Sequence, residues 1–203
     1  MSITHDEVVT TVLRRLQPFA AITVRDMDEE LRSVLSELSD RGEFLPETTT
    51  FATVAGTASY VLPSLFRNAG HLSISGGNDL VEASWPGYQQ YIEGSSSPSQ
   101  SEPRYWTIWD GSWWLWPVAN DVYTVKVDYW ARHAESPATI TFADPFRDAI
   151  VAGVLAALWG GQLAAHQAAE VELAKNRALF EASVDRRIQG IYRPTHFTRY
   201  RDI

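Results

Sequence analysis

Apolar residues recur at helical spacing in the first 46 residues. Val8, Val12 and Leu16 lie four residues apart, and a second stripe follows at Met27, Leu31, Val34, Leu35 and Leu38. This spacing places the apolar residues on one face of an α-helix. Thr4 and Glu7 have the spacing of a capping box, and Pro18 and Gly42 are stop signals. The pattern therefore predicts two amphipathic helices.

Between residues 47 and 143 the apolar positions alternate, and turn residues become frequent. Strands are predicted on both sides of residues 55–57 and of residues 76–78, with hairpin-type turns between them. A short helix is predicted at 86–93, and the polar stretch 94–103 has the composition of a loop. Alternation with short turns is typical of an antiparallel sheet, so we expect a sandwich or meander here.

Residues 106–117, WTIWDGSWWLWP, include five tryptophans. A two-residue turn at Asp110-Gly111 would pair Trp109 with Ser112 and set the register outward from there. One face then holds Trp106, Ile108, Trp113 and Leu115, and the other holds Tyr105, Thr107, Trp109, Ser112, Trp114 and Trp116.

Such a tryptophan cluster is either a stacking platform for sugars or bases or the packed face of a hairpin. A sugar site would need acids and amides inside the hairpin, and a base site would need several cations, whereas only Arg104 is near. We therefore expect one face to be core, and the other to be covered by a helix or by a neighbouring subunit. Trp109, Trp114 and Trp116 are the candidate subunit contacts.

The last third of the chain returns to helical spacing, with Phe146, Ile150, Val154 and Leu158 four residues apart. Asp144-Pro145 predicts an N-cap followed by a first-turn proline, and Gly160-Gly161 predicts a break before a second helix. The expected fold is α+β. Residues 1–46 and 144–190 form a helical bundle, residues 47–143 form an inserted antiparallel β domain, and residues 191–203 form an extended C-terminal arm.

The net charge is −8, but the arm is basic. Its arginines and aromatics, which are residue types favoured at interfaces, make it a candidate docking segment: Arg193, Phe197, Arg199, Tyr200 and Arg201. The acidic remainder would repel phosphate, which argues against tight nucleic-acid binding. No apolar run is long enough to cross a membrane, and the absence of cysteine excludes disulfides and thiolate metal sites.

The sequence contains no strong signal for catalysis. The nucleophile-elbow, phosphate-loop and dinucleotide-binding motifs are absent. The five histidines are scattered, with no pair at metal-binding spacing: His5, His71, His133, His166 and His196. We therefore expect no enzyme activity, no cofactor and no metal.

Two stretches resemble a known family. Residues 56–74, GTASYVLPSLFRNAGHLSI, and residues 103–130, PRYWTIWDGSWWLWPVANDVYTVKVDYW, resemble the signatures of the head-to-tail adaptor (connector) proteins of tailed bacteriophages. The matching positions are Gly56, Thr57, Tyr60, Leu62, Pro63, Tyr105, Gly111, Leu115, Pro117, Tyr123 and Tyr129. Ser64, Trp114 and Trp116 depart from the pattern, which bears on packing.

The resemblance implies a structural protein of the virion neck, assembled in the host cytoplasm and placed at the head-tail junction. It would bind the portal protein and form an oligomeric ring, expected to be a dodecamer. It would bind beneath the portal after DNA packaging, DNA would pass through its channel without sequence-specific binding, and a downstream tail or nozzle protein would dock on it. The alternative is an aromatic carbohydrate-binding or cell-wall-degrading virion module.

Overall fold

The computed structural model describes residues 3–16, 24–94, 100–134, 136, 138–161 and 169–191. The α+β class is confirmed, with elements in this order: α1 (His5–Leu16), α2 (Val24–Arg41), β1 (Pro46–Ala52), β2 (Ser59–Val61), β3 (Phe66–Ile74), β4 (Val81–Glu82), α3 (Trp85–Glu93), β5 (Tyr105–Trp109), β6 (Ser112–Trp116), β7 (Thr124–Ala131), a 3-10 turn (Asp144–Phe146), α4 (Arg147–Gly161) and α5 (Ala169–Ile191).

The chain divides into two compact units. One, the helical unit, consists of Met1–Gly42 and His133–Ile203, and the other, the β unit, is Glu43–Arg132. The first contains α1, α2, α4 and α5, and the second contains all seven strands and α3.

The two N-terminal helices are confirmed in the helical unit. The Thr4 amide donates to the Glu7 carboxylate at 3.1 Å, and the Glu7 amide donates to Thr4 Oγ1 at 3.3 Å. These reciprocal bonds are the predicted capping box. Both predicted apolar stripes are buried: Val8, Val12, Leu16, Met27, Leu31, Val34, Leu35 and Leu38.

One helix start differs from the prediction. Ala143 occupies the N-cap position, and its side chain makes no capping bond. Asp144 lies inside the 3-10 turn that precedes α4, where its carboxylate accepts a hydrogen bond from Arg147 at 2.7 Å. The tighter turn therefore displaces the expected cap by one residue. Helix α4 is described as far as Gly161, and residues 162–168 lie outside the described part, so the predicted break at Gly160-Gly161 stays a prediction.

Helix α4 is the centre of the helical unit. Its apolar residues are buried except Ala157, which is half-buried, and it contacts α1, α2 and α5. A helix that is apolar all round has to be enclosed by other elements. At Gly153 the neighbours come so close that an added Cβ would lie 2.8 Å from Val34 Cγ1 and 3.0 Å from the Phe180 ring.

Polar side chains link α2 to α5 beside this core. Arg41 donates hydrogen bonds to Glu181 and Glu37, and Arg177 donates to Glu37 at 2.8 Å. The guanidiniums of Arg41 and Arg177 each lie 5.2 Å from the centre of the Phe180 ring. The hydrogen bond from Arg41 lowers the pKa of Glu181, so this carboxylate stays charged at neutral pH.

The β unit contains two sheets. Their strand orders are β1-β7-β3, which is antiparallel, and β2-β6-β5-β4. Side chains of both sheets share one core, which includes Leu72, Trp106, Trp113, Leu115 and Val127. The alternation predicted for β7 is confirmed, because Val125 and Val127 are buried whereas Thr124 and Lys126 are exposed.

One predicted hairpin of the β unit is wrong, and the other is found at its turn. Strands β1 and β2 do not pair, because they belong to different sheets. The chain does turn back after β3, where Ser73 forms an antiparallel bridge with Asp79 and the Leu80 amide donates to the Leu72 carbonyl at 2.9 Å, but β4 beyond this turn belongs to the other sheet. Strand β4 instead pairs with β5 in parallel, so the second sheet is mixed. A parallel pair needs a long crossover, and residues 83–104, which include α3, supply it.

Two histidines of the helical unit have opposite environments. His5 Nε2 lies 2.7 Å from Asp28 Oδ1, and this hydrogen bond raises the pKa of His5. His133 is buried, and burial lowers its pKa. The Thr141 amide donates to His133 Nε2 at 3.3 Å, so protonation of that nitrogen would break the bond.

We predict that Gly153→Ala destabilises the helical unit. The cost of forcing a methyl group against Val34 and Phe180 is about 1–3 kcal/mol, partly offset by the ~1 kcal/mol that alanine gains over glycine within a helix. Urea unfolding followed by circular dichroism measures the change. Gly160→Ala is the matched control, because its Cβ would meet its nearest neighbour, Leu173, at 3.9 Å. Equal stabilities of the two variants would contradict the close packing.

We also predict that the two histidines titrate on opposite sides of 6.5, with His5 above and His133 below. The stability that neutral His133 contributes is lost as pH falls below 6.5. The stability that the His5–Asp28 pair contributes is complete below 6.5 and is lost as pH rises from there through the folded pKa of His5. NMR titration of the ring protons measures both midpoints in one sample. The variants His5→Gln and His133→Gln assign the signals, and coincident midpoints would refute the prediction.

Candidate functional site

The tryptophan hairpin turns at Asp110 and Gly111. Both residues have positive φ angles, 47° and 67°, as a type I′ turn requires. Trp109 pairs with Ser112, Ile108 with Trp113, Thr107 with Trp114 and Trp106 with Leu115. The register counted from the sequence is therefore confirmed at every position.

The inner face of the hairpin belongs to the core of the β unit. Trp106, Trp113 and Leu115 are buried, and Ile108 is half-buried. The two indoles meet edge to face with their centres 5.6 Å apart, and Trp106 Nε1 donates to the Leu80 carbonyl at 3.3 Å. These two tryptophans are structural, since no face of either ring is available to a ligand.

The outer face of the hairpin is partly covered by α3 of the same chain. Trp85 stacks on Trp109 with the ring centres 4.8 Å apart, and Tyr88 meets the edge of Trp114. Tyr91 stacks on Tyr105 in the same way, at 4.8 Å. A helix of the same chain therefore packs on part of the outer face, which is one of the two covers expected from the sequence.

Tyr88 fixes the position of α3 on the hairpin. Its ring is buried, and its hydroxyl donates to the Leu115 carbonyl at 3.3 Å. Burial raises the pKa of Tyr88 to about 12, so the phenol stays neutral and keeps this bond at physiological pH. Ser84 caps the helix, because its hydroxyl accepts a hydrogen bond from the Gly87 amide.

The three candidate subunit contacts differ in exposure. Trp116 is buried, Trp114 is half-buried, and Trp109 retains 50% of its surface. Val61, which is 85% exposed, pairs with Ser112, so Val61 and Trp109 lie in one row on the same face of the sheet. We call Val61, Trp85 and Trp109 the tip patch. Val61 and Trp85 could not be identified from the sequence, because Val61 joins the patch by pairing with a distant strand and Trp85 joins it by stacking from α3.

The other predicted docking residues, Arg193, Phe197, Arg199, Tyr200 and Arg201, lie outside the described residues. The predicted loop 94–103 is described only in part, and Gln100 forms a parallel bridge with Val118.

The described histidines and the acids beside them are dispersed over the chain. Within the described ranges, no group of three or more His, Asp or Glu side chains is placed to hold a metal. His71 lies 3.2 Å from Asp79 and is far along the chain from the other two described histidines, His5 and His133. His166 and His196 fall outside the described part.

None of the described helices is long and apolar enough to span a bilayer.

One cavity, of about 500 Å³, lies in the helical unit, and its lining includes Arg15, Trp159, Glu172 and Lys175. Glu172 and Lys175 lie 3.4 Å apart, so each charge is neutralised by the other. Among the described lining residues, no hydroxyl or imidazole lies beside this pair.

The described part of the chain offers aromatic and apolar contact surface at the hairpin, which fits a protein that joins other proteins. A comparison with curated proteins returned no match. A family model, described as SU10 adaptor protein, matches residues 3–200. The match extends over almost the whole chain, and it agrees with the resemblance drawn from residues 56–74 and 103–130. The chain therefore belongs to the SU10 adaptor protein family, a family of phage head-to-tail adaptors.

Proposed function

We propose that this chain forms a closed ring beneath the portal of a tailed phage. The ring extends the DNA channel and offers a docking surface to the next tail component. The observation that carries the proposal is the family match over residues 3–200. An adaptor is a structural virion component, and its task is to hold head and tail components together.

The charge of the chain supports a channel role. With a net charge of −8, the protein repels the phosphate backbone of DNA and lowers non-specific binding. A channel that DNA must traverse quickly requires such a surface. The basic residues of the arm are the exception, and they are suited to contact with protein.

The tip patch supports contact between copies. A ring closed by rotation joins two different surfaces of each subunit, so each surface can be small and apolar without matching itself. Trp109 and Val61 expose apolar area at the tip of the hairpin, where a neighbour can reach them. Trp114 would act through the packing that holds Trp109 in place, because its Nε1 donates to the Trp109 carbonyl at 3.1 Å, whereas Trp116 is buried at the other end of the hairpin.

The C-terminal arm, residues 191–203, would supply a second attachment besides the tip patch. Its alternating arginines and aromatics would dock on the portal or on the adjacent subunit. Arg193, Phe197, Arg199, Tyr200 and Arg201 are the contacts that we assign to this docking.

The competing interpretation is a carbohydrate-binding or cell-wall-degrading module. A sugar platform needs open ring faces, but α3 packs on Trp114 and Trp85 covers one face of Trp109. The described residues also lack a paired acid and base at the hairpin. The adaptor role therefore agrees better with the geometry.

We predict that Trp109→Ser lowers the yield of rings on purified portal and leaves the fold intact. Loss of the stack on Trp85 costs about 0.5–1.5 kcal/mol, which a stable β unit tolerates. Negative-stain images and mass photometry measure ring yield. Val122→Ser is the matched control, because Val122 is exposed and lies in the loop after β6, at the other end of that strand from the hairpin turn. Wild-type yield for Trp109→Ser would exclude the tip patch from the interface.

The same proteins test the competing interpretation. Peptidoglycan fragments and soluble glycans should leave the tryptophan emission of the wild-type chain unchanged. A saturable shift that Trp109→Ser abolishes would favour the carbohydrate-binding module instead.

We predict that R193A/R199A/R201A weakens capture by the portal or by assembled rings by roughly tenfold, since each exposed ion pair contributes about 0.2–1 kcal/mol. Surface plasmon resonance at two salt concentrations measures the loss, which should shrink at high salt. The control R14A/R104A/K175A removes the same charge from the body of the protein. Equal affinities of the two triple variants would show that the arm has no docking role.

A further inference from the structure

The proposed ring needs a second surface on each subunit, different from the tip patch. Beside Trp109, at the hairpin turn, Asp110 is exposed and makes no ion pair within the described part of the chain. The tip therefore presents half of an indole and one negative charge without a counter-charge. A surface that matches it should be apolar, concave and positively charged.

Three exposed apolar side chains of the β unit do not meet these conditions. Val81, Ile92 and Val122 are exposed, but none of them lies in a cavity with a cation. Each is next in the sequence to an exposed acid, and these acids are Glu82, Glu93 and Asp121. Acids at these places would repel Asp110 of another copy. These positions are therefore poor partners for the tip.

The cavity of about 500 Å³ in the helical unit does meet them, and we call it the helical groove. Leu155 and Trp159 of α4 line it and are buried, and Leu179 of α5 lines it with 48% of its surface exposed. Its volume falls within the range of about 300–1,000 Å³ that is usual for pockets. The groove can therefore receive the edge of an aromatic ring.

The helical groove is positively charged, although the chain has a net charge of −8. Two of the charges that line it, Glu172 and Lys175, neutralise each other. The third is Arg15 in the last turn of α1, which is exposed and has no ion pair among the described residues. Arg15 is therefore available to a carboxylate of another chain.

We propose that the hairpin tip of one copy inserts into the helical groove of the next copy, with Trp109 against Leu179 and Asp110 beside Arg15. This inference rests on the proposed ring and assigns the second surface of each contact. Aromatic side chains that enter a pocket on the partner are typical interface anchors, and opposite charges beside them add selectivity. Because the tip and the groove are unlike surfaces, the contact can repeat around a ring.

A charge exchange between copies tests the contact. We expect D110K and R15E each to lower the yield of rings on purified portal about tenfold, because like charges then meet at every contact. A mixture of the two variants should restore the yield, since alternating copies oppose the two introduced charges at one contact and the two natural charges at the next. Negative-stain images and mass photometry of variants with different masses measure the yield.

Two further variants serve as controls. The double variant D110K/R15E should assemble, whereas D110K/R14E should not, because Arg14 is next to Arg15 on α1 but does not line the described part of the groove. D110N keeps a residue type that suits the positive φ of this turn, and it should lose about threefold in ring yield because the charge is removed but not reversed. Circular dichroism during heating checks that each variant is folded.

The apolar part of the contact is tested by Leu179→Ser. We expect a loss of about fivefold in ring yield, because the serine hydroxyl replaces an apolar contact of the indole. Val171→Ser is the matched control, since Val171 is exposed on the same helix and lies outside the described lining of the groove. Its ring yield should equal that of the wild-type chain.

Several results would overturn this inference and leave the ring proposal standing. They are wild-type ring yields for D110K and R15E, or a loss that the mixture does not repair. Recovery by D110K/R15E but not by the mixture would mean that Asp110 meets Arg15 within one chain. Loss of portal capture by Leu179→Ser but not by D110K would assign the groove to the portal. No rings from the wild-type chain on portal would refute both proposals.

Discussion

The two-residue turn at Asp110-Gly111 determines the function that the tryptophans can have. Its positive φ angles fix the register of β5 and β6, and side chains alternate along each strand. A slip of one residue would expose Trp106 and Trp113 and bury the polar tip residues. With the register fixed, two tryptophans complete the core, α3 covers part of the rest, and Trp109 is left half-exposed where another chain can contact it.

Features governed by local chemistry were predicted from the sequence. The capping box of α1, the stripes of α2 and the hairpin register depend on residues close along the chain, and all three are confirmed. Pairing between distant strands was not predicted. Alternation shows which face of a strand is buried but not which strand lies beside it, so β1 and β2 were placed together although they belong to different sheets.

The candidate site was predicted in part, for the same reason. Trp109 was identified because the turn is local, whereas Val61 and Trp85 join it through β2 and α3. The family signature is explained by the structure. Gly56 and Gly111 have positive φ angles, and the Tyr60 hydroxyl donates to the Thr57 carbonyl at 2.9 Å. Signature residues that shape turns indicate the fold and the family, and they reveal no reacting group.

The helical unit is assembled from the two ends of the chain, whereas the β unit is one continuous stretch. During synthesis α1 and α2 leave the ribosome long before α4, the helix that buries their apolar stripes. The β unit can close its core in the interval, because domains fold as units in the order of their synthesis. Until α4 emerges, the stripe with Met27 and Leu31 therefore lacks the helix that covers it in the folded protein.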